Sequence, residues 1–298
     1  MRVGIWAAAL AAGLGLCGAT QAQPASGTGD RLALFQEKTI FHSGLRGTHT
    51  VALTFDDGPN LYTPGVLDAL RANNVKATFF IVGRMAKLYP QILAQIAADG
   101  HLLANHSASH PVLGKRYDAH PELLIAQIRD VNDDIAPLMP AGTKLFFRAP
   151  YGSWHAAHAA ILNADPVLRN YIGPIYWDIG GQTVIDKDGY VMSSADWNCW
   201  RRRWPADVCA KGYMREIRRD NGGVVLMHCI HSQSAALVAA VVPALVQEGY
   251  SFVRLDQDPA YDQYQTPQPQ TAPVIASAGG EKTAEAQKLP PLGLDSVR

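Results

Sequence analysis

The chain has 298 residues, 48% of them hydrophobic, which is enough for one large α/β domain with a full core or for two small domains. Lys plus Arg and Asp plus Glu number 26 each, so the chain as a whole makes no field that would recruit nucleic acid or an anionic membrane. Any polyanion binding would have to be local.

In chain order, the first element reads as a leader. Met1-Arg2 precedes an apolar run from Ile5 to Cys17, and Thr20-Gln21-Ala22 follows it before Gln23-Pro24. The run is well short of the ~20 residues of a membrane-spanning helix. Small residues at Thr20 and Ala22 suit cleavage after Ala22, so residues 1–22 are expected to be a signal peptide of a secreted or periplasmic protein with no integral membrane segment once it is removed. The alternative, a lipoprotein acylated at Cys17, is opposed by the bulky Leu16 directly before it. In an oxidising compartment Cys199 and Cys209, separated by a short Trp- and Arg-rich loop, are candidates for a disulfide, and Cys229 for a buried thiol.

Residues 23–48 show no clear period and are expected to form a strap into the fold. From there apolar, β-branched or aromatic runs at Val51–Phe55, Ala77–Val82, His101–Ala104, Leu145–Phe147, Ile175–Trp177, Val224–Met227 and Ser251–Leu255 predict seven strands, separated mostly by helical patterns. Pro64, Pro90 and Pro121 fit first-turn positions of helices, and Ala235 to Gln247 predicts another. Strands alternating with helices predict an α/β fold, a distorted (β/α)7-type barrel with parallel strands over residues 49–258, and an active site at the C-terminal strand ends. Asp56-Asp57, His106, Arg148, Asp178 and His228 each follow the end of a predicted strand. Residues 259–298 shift to Pro, Gln and Ala and are expected to be a disordered tail.

Thr54-Phe55-Asp56-Asp57-Gly58-Pro59 places two adjacent carboxylates at a strand end just before a turn. Adjacent acids repel unless a cation separates their roles: one carboxylate binds the ion and the other stays available for protons. His106 and His110, four apart, match two imidazoles facing one cation, although by themselves they would fit a surface helix face equally well.

With His106-Ser107-x-x-His110, Arg148-Ala149-Pro150-Tyr151-Gly152 and Leu226-Met227-His228 following in that order, the chain resembles the polysaccharide deacetylases, the fourth family of carbohydrate esterases, over residues 48 to 256. The resemblance implies that Asp57, His106 and His110 bind a divalent cation, most often zinc, with cobalt, nickel or manganese as other options. It further implies that Asp56 is the general base, His228 the general acid, the Tyr151 backbone N–H an oxyanion donor and Arg148 the partner that orients the base. Leu226 and Trp177 resemble the lining of a small pocket for the acetyl methyl, and Pro150 is grouped with them as substrate-binding.

One departure stands out. The family usually carries an aspartate three residues after the tryptophan to support the acid, and here Gly180 stands at that distance from Trp177. Asp178 is the obvious substitute, since residues two apart on a strand face one side, and Asp196 is the other candidate for the His228 partner. The family's Asp-Trp pair has its counterpart in Asp196-Trp197, displaced by an insertion over residues 181–212. That insertion, with Trp197, Trp200, Trp204 and Arg201-Arg202-Arg203, suits either a substrate wall or a packed, disulfide-stapled lobe.

The resemblance therefore implies a secreted metal-dependent hydrolase that removes N-acetyl groups from peptidoglycan or chitin-like polymers. Within enzymes, an acetylxylan-type esterase or a cyclic-amide hydrolase is the alternative; outside them, a catalytically silent glycan-binding envelope module. Retention of Asp56, Asp57, His106, His110 and His228 counts against the last.

Overall fold

The structure, a computed structural model, describes residues 34–40 and 43–264. The expected signal peptide, the start of the strap and residues 265–298 of the expected tail lie outside the described residues. The strands are β1 (Phe35–Ile40), β2 (Thr50–Asp56), β3 (Thr78–Ile81), β4 (Leu102–Asn105), β5 (Leu145–Phe146), β6 (Tyr171–Ile175), β7 (Val184–Ile185), β8 (Val191–Ser193), β9 (Gly222–His228) and β10 (Ser251–Phe252). The helices are α1 (Thr63–Ala72), α2 (Gly83–Leu88), α3 (Pro90–Ala98), α4 (Lys115–Ala119), α5 (Pro121–Ile135), α6 (Ala156–Ala164), α7 (Asp196–Arg201), α8 (Ala206–Asp220) and α9 (Ser234–Gln247).

The fold is α/β with parallel pairing apart from the small β7–β8 hairpin. One sheet runs β9-β2-β3-β4 and another β1-β6-β5. Single bridges join them, Asn105 with Phe147 on one side and Ile179 with Val225 on the other. Pairing thus passes through six strands and returns to its start. β10, the seventh expected strand, pairs only with Thr50 and Val51 at the beginning of β2.

Two periods explain the packing. Val51, Leu53, Phe55, Phe79, Ile81, Leu103, Val225 and Met227 join a core with residues of α1, α3, α8 and α9. The alternate residues Ala52, Phe80, Leu102, Ala104 and Val224 join Phe146 and Ile172 from the other sheet in a second core. Because both faces are covered, these strands read as continuous apolar runs rather than alternating ones.

Two boundaries differ from expectation. Phe35–Ile40, within the expected strap, is a strand on the edge of β6. Pro259–Tyr264, within the expected tail, forms a 3-10 turn whose Tyr261 is buried edge-on against Phe146. The aromatic ring fills the second core, a contribution that composition alone hides.

Candidate active site

The site stands where the parallel strands end. β2 and β9 pair in unbroken register, from Thr50 with Gly222 to Asp56 with His228. Thr54, Asp56, Leu226 and His228 therefore share one face of the sheet. Asp57 follows in a left-handed conformation (φ 72°), which turns its carboxylate out of the strand.

Asp57 Oδ1 lies 3.1 Å from His110 Nε2 and 3.5 Å from His106 Nε2, yet it is buried and makes no hydrogen bond among the described residues. His106 Nδ1 is 2.9 Å from the Arg148 carbonyl oxygen. A carbonyl only accepts, so Nδ1 carries the proton and Nε2 presents its lone pair to Asp57. One carboxylate oxygen and two imidazole nitrogens turned to a common point can hold a divalent cation, and the ring-nitrogen anchoring of His106 is the support such a ligand needs.

Asp56 is tied elsewhere. Its Oδ1 accepts from Arg148 Nη1 at 2.6 Å, while Oδ2 lies 3.6 Å from His106 Nε2. Arg148 is wholly buried and spends its other donors on Thr54 Oγ1 and on the Ile175 and Tyr176 carbonyls, with Phe80 under its guanidinium at 4.0 Å. Trp177 lies 5.5 Å from the same group. Pro150 is buried and opens the turn that presents Tyr151, an exposed residue at φ 56°. Gly152 and Ser153 donate to the Ala149 and Pro150 carbonyls, whereas among the described residues the Tyr151 N–H has no acceptor. Asp57, Ser107, His110 and Tyr151 all have positive φ, so strained backbone collects at this site.

The expected Asp178–His228 pairing is corrected. Asp178 Oδ2 accepts from the Val224 N–H at 2.8 Å and from Ser43 Oγ at 2.7 Å, and Oδ1 pairs with Arg46. Val224 precedes His228 by four residues (224 to 228), roughly 13 Å along a strand, so Asp178 serves the wrong end of β9. Gly180, nearer that level, has φ 90°, and a Cβ there would stand 2.3 Å from the Leu226 carbonyl oxygen, so no side chain fits. Asp196 partners His228 instead: Oδ1 is 2.8 Å from Nδ1 and Oδ2 accepts from the His228 N–H at 2.6 Å. Burial alone would lower the His228 pKa, but the Asp196 carboxylate, aided by Asp57 and Asp56, pushes it up to about 10.

Asp196 comes from the insertion, which is a packed lobe. A disulfide between Cys199 and Cys209 links α7 to α8, and Trp200 and Trp204 pack against the main core. Trp197 alone of the three is largely exposed, with Arg201 over its ring. Tyr213 OH donates to the Leu226 carbonyl at 2.9 Å and accepts from the Asp196 N–H at 3.2 Å, locking the lobe to β9. Sequence reasoning missed Tyr213, which reads as one more core aromatic on a helix. It also missed Asn105 and Ser107, whose side chains accept from the Ser107 and His110 N–H groups and shape the histidine loop; two small polar residues around His106 were the available signal.

Residues 44–167 match the family model for polysaccharide deacetylase. A chitooligosaccharide deacetylase from Sinorhizobium fredii is 29% identical over 241 residues, covering 74% of this chain and 96% of the relative. A peptidoglycan-N-acetylglucosamine deacetylase from Bacillus cereus is 32% identical over 203 residues, covering 67% of each. Among solved structures, a family 4 carbohydrate esterase from Streptomyces lividans in complex with acetate superposes with TM-score 0.52 at 27% identity, over 69% of this chain and 91% of that one. The chain belongs to the polysaccharide deacetylase family and is a hydrolase of the carbohydrate N-deacetylase class.

Proposed function

We propose that the protein is an exported, divalent-metal-dependent deacetylase that releases acetate from N-acetylglucosamine units of peptidoglycan or chitin-like chains. The observation that carries this reading is the convergence of Asp57 Oδ1, His106 Nε2 and His110 Nε2 without hydrogen bonding among them. The two relatives above support the substrate class through what their names say they act on, and the residue 1–22 leader motivates export.

Asp57, His106 and His110 would hold a divalent cation, zinc by the donor set, and it would supply Lewis acidity toward water and the acyl oxygen. Asp56, oriented through Oδ1 by Arg148, accepts through Oδ2 the proton lost by the water that attacks the acyl carbon. The Tyr151 N–H, with no acceptor among the described residues, donates to the acyl oxygen as that oxygen becomes negative, a contribution of about 3 kcal/mol. His228, charged through Asp196, gives its Nε2 proton to the amine nitrogen as the C–N bond breaks, leaving acetate and a free amino sugar. Leu226, Trp177 and Pro150 supply apolar surface for the acetyl methyl.

Acetate released from chitin oligomers, peptidoglycan and acetylxylan, with chelator and after zinc is restored, tests this reading. Release from an N-acetyl polymer that stops with chelator and returns with zinc is expected. Chelator-insensitive release, or release from acetylxylan alone, overturns it. Asp57→Ala is expected to lose the metal at this site, and a variant keeping it contradicts the ligand assignment.

A further inference from the structure

Away from the catalytic loops a second set of ligand-type side chains meets. Asp118 lies on α4, and His155 and His158 flank the start of α6. Asp118 Oδ1 is 3.2 Å from His155 Nε2 and 3.2 Å from His158 Nε2. His158 is wholly buried, yet among the described residues neither of its ring nitrogens has a hydrogen-bond partner, and Asp118 Oδ1 is buried without one as well. At such a separation a carboxylate and an imidazole N–H normally align into a hydrogen bond, and a buried polar atom left without one is costly. Lone pairs turned to a common point remove that cost only if something positive sits there. Asp57 Oδ1 shows the same signature between His106 and His110.

We propose that Asp118, His155 and His158 form a second metal site, distinct from the catalytic one, that takes a divalent transition metal, zinc foremost. Two imidazoles and one carboxylate favour zinc over calcium or magnesium, whose sites are built from oxygens. Half-exposed His155 and partly exposed Asp118 give the ion its access route, while buried His158 fixes the inner ligand. The ion staples two segments that wall the catalytic site. α4 follows the loop that carries His110, and α6 follows the turn that carries Tyr151; Ser153 Oγ already donates to the Leu113 carbonyl at 2.6 Å between them.

The test is metal content of the zinc-loaded, desalted full chain, with thermal unfolding as a second readout. Wild type is expected to hold two equivalents of zinc, Asp57→Ala one, His155→Ala one and the double variant none. Zinc is expected to raise the Tm of Asp57→Ala by several degrees and to leave Asp57→Ala/His155→Ala unmoved. Asp118→Asn, a near-isosteric change, is expected to reproduce the His155→Ala loss. A wild type holding a single equivalent that Asp57→Ala abolishes, or a zinc-induced shift that persists in Asp57→Ala/His155→Ala, overturns the proposal.

Discussion

Asp196 grips His228 twice, through the ring Nδ1 at 2.8 Å and through the backbone N–H at 2.6 Å, although it arrives from an inserted lobe rather than from the strand next to β9. The ring bond sets both the tautomer and the charge of the imidazole. His228 binds its proton more tightly in the folded state, about 10 against an ordinary 6.5. Its contribution to stability is therefore fully present below about 6.5 and lost as pH rises through about 10. Asp196→Asn removes the main raising influence, so the alkaline limb of kcat against pH is expected to move to lower pH, and kcat on an N-acetyl substrate to fall about 100-fold. Asp178→Asn is expected to leave that limb in place. A matching shift in both variants would remove Asp196 from its special position.

Arg148 is wholly buried and held by four oxygens, and Asp56 accepts its shortest bond. Arg148→Met leaves that buried carboxylate unpaired and three further acceptors short of a donor. Breaking a buried pair from one side costs about 3–5 kcal/mol. Unfolding by urea should show a loss of this size together with loss of turnover. Arg148→Lys is expected to recover only part of it, because a single ammonium cannot span the fork from Asp56 to Ile175. Full recovery by lysine would show that charge, not geometry, is what the site needs.

The strand ends at the site were legible because β2, β3, β4 and β9 are covered on both faces and so read as mainly apolar runs, with β2, β4 and β9 ending at Asp56, Asn105 and His228. β1 was not legible: Phe-Gln-Glu-Lys-Thr-Ile is an edge strand with little apolar period, and only its pairing with β6 reveals it. β6 was placed late, at Ile175–Trp177 instead of Tyr171–Ile175, because Gly173-Pro174 reads as punctuation. In the fold Gly173 is where the Phe147 carbonyl passes, 2.9 Å from where a Cβ would stand. The choice between Asp178 and Asp196 was open for a different reason. It depends on which level of β9 the chain after β6 reaches, and that level is set by the Ile179–Val225 bridge, a contact no local pattern encodes.

The Cys199–Cys209 disulfide closes a short loop in the lobe that supplies Asp196. By loop-closure entropy its removal costs about 2–3 kcal/mol. Cys199→Ser/Cys209→Ser is expected to unfold at lower temperature and, because Asp196 loses its anchored helix, to lose more kcat on N-acetyl substrates than KM accounts for. The check is Tm together with kcat and KM measured separately. A variant with lowered Tm and unchanged kcat would confine the disulfide to stability.

His228 itself separates two kinds of leaving group. An amine leaves a tetrahedral centre only when its nitrogen has been protonated, whereas the alkoxide or phenoxide of an activated ester departs without help. In the proposed mechanism Asp56, Tyr151 and the three ligand residues would serve water attack and oxyanion stabilisation alike for both substrates. His228→Ala is therefore expected to reduce turnover of N-acetylglucosamine oligomers by roughly 100-fold or more while costing an activated acetyl ester only a few-fold. The measurement is kcat/KM for both substrates with one zinc-loaded preparation, so that metal occupancy cancels. Equal losses on amide and ester would assign His228 to binding or to holding Asp57, which it approaches at 3.9 Å, and would leave the proton delivery to another group.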